Sequence, residues 1–222
     1  MSDSSLDAKT AQRLTALLDP KHTAVLTMEL QNGIVVEGGT LPALSEEVRR
    51  TGMLSVAGRV CAAAREVGIR VVHATAVSRA DGAGGAENCK IFAIGAKQRQ
   101  AGHIPTLIGS HGAQLVDEIG QDPRDIEVPR IHGMSPFTGT SLDQILRNLG
   151  ITTVVVMGVS VNLGVFGTAM TALDKGYQVV VVRDAVAGLP PEYAQAVLEN
   201  SIAMIATVVT SADVLACWGV KG

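Results

Sequence analysis

Two runs of consecutive apolar residues constrain the fold of this chain more than any other feature. The sequence is TVVVMG over residues 153–158 and QVVVVR over residues 178–183. Neither run alternates apolar with polar side chains, so neither offers a face suited to water. Strands of this composition are covered on both faces, as they are in parallel sheets that lie between two layers of helices. The two runs therefore predict the interior of a parallel sheet.

Further strand candidates alternate with segments of helical periodicity along the chain. This rhythm predicts an α/β fold, a Rossmann-like three-layer arrangement with a six-stranded parallel sheet flanked by helices on both faces. The predicted strands are residues 23–28, 70–77, 126–129, 153–158, 178–183 and 206–210. The predicted helices are residues 48–67, 141–149, 163–175 and 190–204.

The length of the chain predicts its domain organisation. A chain of 222 residues is within the usual size of one domain, so we expect residues 1–222 to form a single domain. Residues 1–20 predict a short helix that docks on the domain or on a neighbouring subunit. Residues 78–112 are rich in glycine and show little periodicity. A loop of that length is usually functional, which predicts a lid or an oligomer arm, with a plain surface excursion as the alternative.

Charge and hydropathy argue against several classes of partner. The 18 basic residues oppose 21 acidic ones and form no stripe, so we expect no nucleic-acid partner. No apolar run is long enough to span a membrane, so we expect no membrane partner. The N-terminal residues lack the apolar core of a secretory signal, which predicts a cytoplasmic location. A hydrophobic content of 47% with only 3% aromatic residues predicts a homo-oligomer, either a dimer or a tetramer.

The sequence offers no pattern that predicts a cofactor. Cys61, Cys89 and Cys217 lack the spacing of a metal knuckle, and three cysteines in a reducing compartment argue against disulfides. No G-x-G-x-x-G motif follows the first predicted strand, which argues against a dinucleotide-dependent dehydrogenase. We therefore expect no metal and no cofactor, and a small-molecule substrate.

Candidate site residues follow the carboxyl ends of the predicted strands, where ligands of parallel α/β sheets bind. Glu29 stands at an apolar strand end, where a carboxylate is costly unless it is paired or used. The turn over residues 158–164 leads from a buried strand into a helix, whose first N–H groups can hold an anion or oxyanion. Ser160 or Asn162 could equally cap that helix. The candidates for binding substrate are Gln31, Arg130, Ser160, Asn162, Leu163 and Gly164.

Four stretches of sequence resemble one known family. They are AVLTMELQNGIV at the first strand, MSPFTGTSLDQILRNLGI before the fourth, GVSVNLGVFGTAMTALDKGYQVVVVRDAVAG after it, and EYAQAVLENSIAMIATVVTSADVL near the end. Together these stretches are similar to the isochorismatase-like superfamily, the cysteine hydrolases, over nearly the whole chain. The superfamily includes nicotinamidases, carbamoylsarcosine and biuret amidohydrolases, and true isochorismatases. The resemblance implies a six-stranded parallel sheet and an active site built from an acid, a lysine and a cysteine.

The resemblance carries over imperfectly to those three catalytic positions. The family's aspartate corresponds to Glu29, which is longer by one methylene. The family's lysine belongs near Arg130 and His132, and of these two we favour His132 as the catalytic residue because histidine titrates near neutrality. The family's cysteine corresponds to Gly164, so no acyl-enzyme can form through a thiol there.

These departures lead to two functional hypotheses. The first is a cysteine-independent hydrolase of a small polar or carboxylated metabolite, with Glu29 as general acid or base. True isochorismatases resemble this chain in having glycine at the cysteine position, and they protonate a vinyl ether from the first-strand acid. Glu29 could do the same if apolar surroundings raise its pKa. The alternative is a catalytically silent family member that binds a metabolite or has a structural role.

Overall fold

The computed structural model describes residues 8–36 and 39–220 of the chain. Within them lies a six-stranded parallel sheet of order β3-β2-β1-β4-β5-β6, with helices around it. This confirms the predicted fold class. The strands are β1 Thr23–Met28, β2 Arg70–Ala76, β3 Ile126–Arg130, β4 Thr153–Val159, β5 Gln178–Ala187 and β6 Thr207–Val209.

Strand β1 is the point at which the order of the sheet reverses. Its Ala24 pairs with Arg70 of β2 on one side, and its Thr23 pairs with Thr153 of β4 on the other, both in parallel register. The connections that leave β1 and β4 therefore diverge and open a crevice beyond the carboxyl ends of the strands. Ligands of open α/β sheets bind at such a point.

The helices agree with the predicted ones in place but not always in extent. They are α1 Ala8–Leu17, α2 Asn32–Val35, α3 Pro42–Thr51, α4 Met53–Glu66, α5 Lys90–Gln100, α6 Leu142–Asn148, α7 Phe166–Asp174, α8 Pro191–Val197, α9 Ala203–Ile205 and α10 Ser211–Trp218. A π-helical turn, Val161–Val165, precedes α7. The single helix predicted over residues 48–67 is instead the pair α3 and α4. Gly52, with φ of 67°, breaks it, because that left-handed conformation suits glycine and ends a helix.

The position of strand β4 in the sheet explains why its sequence is apolar without alternation. Val154 and Val156 pack into the core on one face of the sheet, while Val155 and Met157 pack into the core on the other. All residues of β4 are buried. Each face of the strand thus meets a layer of helices, and a polar residue at any position would lose its hydration.

The amino-terminal helix lies against the end of the chain. Leu14 and Leu18 are buried in one of the two cores, and the Trp218 indole Nε1 donates a hydrogen bond to the Leu18 carbonyl at 3.1 Å. The predicted helix over residues 1–20 is therefore helical over Ala8–Leu17 and docks on α10. Residues 1–7 of that prediction lie outside the described residues.

The Gly-rich segment after β2 is closed at its base and carries a helix that the sequence did not predict. Ser78 N donates to the Thr106 carbonyl at 2.8 Å, which ties the two ends of the segment together. Gly112 is required there, since a Cβ atom would lie 1.8 Å from the Pro105 carbonyl oxygen. Helix α5 stands between these ends. None of the helices in residues 8–36 and 39–220 is long and apolar enough to cross a membrane.

Candidate active site

A cavity of about 230 Å³ opens beyond the carboxyl ends of the central strands. Glu29 follows β1, Arg130 ends β3 and Ser160 follows β4, and all three line it. Helix α5 forms another wall, to which Ile91 and Phe92 contribute. Much of the lining is apolar, with a few polar groups at the strand ends. That composition is typical of a small-molecule site.

Glu29 and Arg130 form an ion pair inside this cavity. Arg130 Nη2 donates to Glu29 Oε1, and the Arg130 side chain is only 2% exposed while that of Glu29 is 20% exposed. The guanidinium also donates from Nη1 to the Thr75 carbonyl and from Nε to the Gly133 carbonyl, each at 3.3 Å. The arginine is thus held by two carbonyls, which fix its guanidinium beside the Glu29 carboxylate.

The backbone at Glu29 turns the carboxylate out of the strand. Its φ is 56°, the only positive φ of a non-glycine residue among those described, and its N–H donates to the Ala74 carbonyl at 2.9 Å. Only Oε1 of Glu29 accepts a hydrogen bond from the described part of the chain. The other oxygen, Oε2, is therefore available to a water molecule or to a substrate.

Gly164 lies buried at the start of the helix that follows β4, and its surroundings are already full. A Cβ atom at this position would lie 2.8 Å from the Val159 carbonyl oxygen and 2.9 Å from Met28 Cε. Thr168 Oγ1 donates to the Gly164 carbonyl at 2.6 Å and lies 3.7 Å from Met28 Sδ, in contact with the methionine. The methionine side chain thus occupies the space into which a side chain at residue 164 would project.

Six of the eight residues predicted from the sequence meet at the cavity. These are Glu29, Arg130, His132, Ser160, Leu163 and Gly164.

His132 and Arg130 differ in a way that the sequence could not reveal. Arg130 is buried beside the acid, whereas His132 is exposed at the cavity edge, with its ring against Gly139. No hydrogen bond orients the His132 ring within residues 8–36 and 39–220. Arg130, and not His132, therefore lies beside Glu29, while the catalytic role of His132 stays a prediction.

Gln31 and Asn162 do not line the cavity. The Gln31 side chain is fully buried and its amide is used by the backbone, with Nε2 donating to the Ala76 and Ala113 carbonyls and Oε1 accepting from Ala76 N. Gln31 thus fastens β2 to the loop before β3. Asn162 Oδ1 lies against Gly188, 2.8 Å from where a Cβ would stand there, and has no partner among the described residues. The substrate-binding roles predicted for both residues receive no support from their positions.

Helix α5 supplies several of the cavity residues that the sequence prediction missed, and the segments 34–44, 76–86 and 103–106 supply others. The lining residues of α5 are Ile91, Phe92, Gly95, Ala96, Gln98 and Arg99. The helix has weak amphipathic periodicity, so its pattern resembled a loop. A signal was present nevertheless, because Lys97 and Arg99 in the last turn are followed by Gly102 with φ of 82°. Basic residues and then a glycine are typical of a helix carboxyl end.

Comparison with known proteins identifies the family. The family model described as the isochorismatase domain matches residues 23–213. The chain belongs to the isochorismatase family. It is 32% identical over 186 residues to the ureidoacrylate amidohydrolase RutB of Pseudomonas syringae pv. syringae, which covers 80% of this chain and 76% of that protein.

Solved structures of the isochorismatase family share the fold. The N-carbamoylsarcosine amidase from Thermoplasma acidophilum is 27% identical, with a TM-score of 0.64, covering 86% of this chain and 96% of that one. An isochorismatase family protein from Desulfovibrio vulgaris is also 27% identical, with a TM-score of 0.76, covering 87% and 98% respectively. The match extends over nearly the whole chain in both cases.

No cysteine of this isochorismatase-family chain lines the cavity. Cys61 is buried in the core, and burial raises the pKa of its thiol to about 12. Cys89 is exposed before α5, and Cys217 is half-buried in α10. No group of three or more His, Cys, Asp or Glu side chains within residues 8–36 and 39–220 is arranged to hold a metal ion.

Proposed function

We propose that this isochorismatase-family protein hydrolyses an amide or ureido bond of a small metabolite without a thiol, and that Glu29 is the general base. The observation that carries the proposal is the pair of Glu29 and Arg130 inside the cavity. Gly164, to which the sequence resemblance assigns the position of the family's cysteine, lines the same cavity. The amide or ureido bond is suggested by the two relatives above, whose names refer to a ureidoacrylate amidohydrolase and an N-carbamoylsarcosine amidase.

The ion pair supports a base more strongly than an acid. A general base accepts a proton on an oxygen, and the Glu29 side chain already acts as a hydrogen-bond acceptor towards the Arg130 guanidinium. Glu29 Oε2 accepts no hydrogen bond from the described residues and can take a proton from water. The protonation of a vinyl ether by Glu29, as in true isochorismatases, is therefore the less favoured chemistry for this site.

The proposed reaction proceeds through a tetrahedral intermediate. Glu29 accepts a proton from water as the water oxygen bonds to the carbonyl carbon and the C=O π electrons move onto the carbonyl oxygen. Arg130, which cannot itself exchange a proton, stabilises the developing negative charge electrostatically. The C–N bond then breaks, and the departing nitrogen receives the proton from Glu29. Ammonia or an amine leaves, and Glu29 is an ionised carboxylate again.

The thiol-independent route is supported by the packing around Gly164. The space for a nucleophile there is filled by Met28, and Cys61, Cys89 and Cys217 all lie outside the cavity lining. Water is thus the nucleophile that the proposal requires.

A catalytically silent, metabolite-binding protein is the second candidate. One observation favours it: Glu29 and Arg130 neutralise each other, as a purely structural pair would. A cavity filled by Phe166, Met134 or Phe137 would have favoured it further. Met134 lines the cavity and Phe137 and Phe166 do not, and a volume of about 230 Å³ stays open.

The proposal is tested by a turnover screen of the purified protein against small ureides and amides, with vinyl ethers as a second panel. We expect release of ammonia or amine from at least one ureide or amide, and its loss in Glu29→Gln. Turnover of vinyl ethers alone would assign the acid chemistry to Glu29. Equal background rates for wild type and variant across both panels would favour the silent protein. The homo-oligomeric state and the cytoplasmic location stay predictions from the sequence.

A further inference from the structure

The cavity contains a second guanidinium that no catalytic step above uses. Arg99, in the last turn of α5, lines the cavity with a side chain that is 25% exposed. Its Nη2 donates to Glu87 Oε1 at 3.1 Å, but that glutamate is 56% exposed and does not line the cavity. An exposed ion pair of this kind holds its partners weakly. Arg99 can therefore exchange Glu87 for another carboxylate, or bind a second one.

The lining of the cavity contains more guanidinium groups than carboxylates. Among the described residues, the Glu29 carboxylate and the Arg99 and Arg130 guanidiniums line it, together with the imidazoles of His103 and His132. Glu29 and Arg130 neutralise each other, whereas Glu87, the partner of Arg99, lies outside the lining. A ligand with one negative charge would balance the Arg99 guanidinium within this lining.

The loop before α5 is shaped around the Arg99 side chain. A Cβ atom on Gly82 would lie 2.4 Å from Arg99 Cζ, and the backbone there has φ of 71°, a conformation that also favours glycine. Gly82 thus allows the guanidinium to lie against the main chain, which limits its movement. A guanidinium held in this way presents its N–H groups in a fixed plane, which suits a carboxylate.

We propose that Arg99 binds the carboxylate of the substrate, while its amide or ureido group meets Glu29 and Arg130 at the strand ends. The inference rests on the proposed function and specifies the substrate class as a small acid that carries an amide or ureido group. The role of Arg99 is recognition, since it lies on a different wall of the cavity from the reacting atoms.

Ligand pairs that differ only in the carboxylate test this proposal. Ureido acids of two to four carbons that the protein does not hydrolyse are compared with their carboxamides by isothermal titration calorimetry, in the Glu29-containing protein so that Arg130 keeps its partner. We expect at least one acid to bind about tenfold or more tightly than its carboxamide, as a lost charge-assisted hydrogen bond predicts. Arg99→Gln removes the preference and Arg99→Lys retains part of it.

Arg79 provides the matched control. It lies in the same segment, pairs with Asp81 at 2.7 Å and does not line the cavity, so Arg79→Gln should leave the preference unchanged. Equal affinity for acid and carboxamide, no binding of either, or a preference that survives Arg99→Gln would each overturn the role of Arg99. Absence of turnover in the Glu29-containing protein, with the Arg99-dependent preference intact, would instead refute the hydrolase alone.

Discussion

Two carboxylate and arginine clusters in this molecule have the same ingredients and opposite surroundings. In the first, Glu29 pairs with Arg130 at the cavity. In the second, Asp125 pairs with Arg65 at 2.7 Å and with the imidazole Nε2 of His73 at 3.2 Å, away from the cavity lining. The contrast shows that an ion pair beside a sheet does not by itself indicate a site.

The two carboxylates differ in how many of their oxygens are used. Asp125 accepts hydrogen bonds on both oxygens, from Arg65 Nε on one and from Arg65 Nη2 and His73 on the other. Glu29 accepts on Oε1 alone from the described residues. A carboxylate with a free oxygen facing a cavity can act on a ligand, whereas a saturated one can only stabilise the fold.

The largest expected effect is on catalysis at Glu29. Glu29→Gln keeps the size of the side chain but cannot accept the proton of water, so kcat/KM should fall about 100-fold or more. Steady-state kinetics on the best ureide or amide of the screen measures the loss. A Glu29→Gln variant with the circular dichroism spectrum of wild type and full activity would mean that Glu29, like Asp125, only stabilises the fold.

The opposite result is expected at the sealed cluster of Asp125, Arg65 and His73. Asp125→Asn removes the charge that Arg65 and His73 share, so the free energy of unfolding should fall by about 1–3 kcal/mol. Its kcat/KM should stay within about twofold of wild type, since surface and structural changes far from a site act mainly on stability. Urea titration measures the free energy of unfolding, and steady-state kinetics on the same preparation measures kcat/KM. A large loss of activity without a loss of stability would contradict the distinction drawn between the clusters.

The sequence could predict those features of the sheet and the site that follow from the burial of a single residue. Val154 to Met157 had to lie inside a sheet, and Glu29 had to be paired or used, because burial makes each alternative costly. The direction in which a polar side chain points is harder to predict from the sequence. Gln31 is polar and only two residues from Glu29, yet it faces the backbone of β2.

The remaining site residues depend on contacts between distant parts of the chain. Arg130 and His132 stand two positions apart, and nothing local to them tells which side chain reaches β1. Arg99 enters the cavity because the segment after β2 folds back, with Ser78 bonded to Thr106. Such tertiary contacts leave no periodic pattern in the sequence, and α5 has a weak one.

A smaller effect is expected on stability, when alanine replaces a glycine whose surroundings are filled and one whose surroundings are open. Gly164→Ala must push aside Met28 or the Val159 carbonyl, so it should lower the free energy of unfolding by about 1–3 kcal/mol. Gly167 is the matched control, since a Cβ there meets nothing within 4 Å and alanine should raise stability by about 0.5–1 kcal/mol. Thermal and urea unfolding measure both. Equal tolerance of alanine at the two positions would show that a nucleophile could fit at residue 164.

The smallest expected effect concerns pH and the sealed cluster. Burial lowers the pKa of His73 from 6.5, against the opposing influence of Asp125. The unfolded chain therefore binds a proton that the folded one resists. This term is absent above pH 6.5 and destabilises the fold as the pH falls below that value.

The free energy of unfolding, measured in urea at about pH 7.5 and about pH 5.5, should thus fall more for wild type than for His73→Gln. The amide introduced by this substitution can still bond to Asp125 or Thr27 but cannot titrate, so the difference between the two slopes isolates the imidazole. His132→Gln, the same substitution at an exposed histidine, is measured beside it as the control for the change of side chain. Identical slopes for wild type and His73→Gln would mean that His73 binds a proton as readily in the folded protein as in the unfolded chain, and that burial does not lower its pKa.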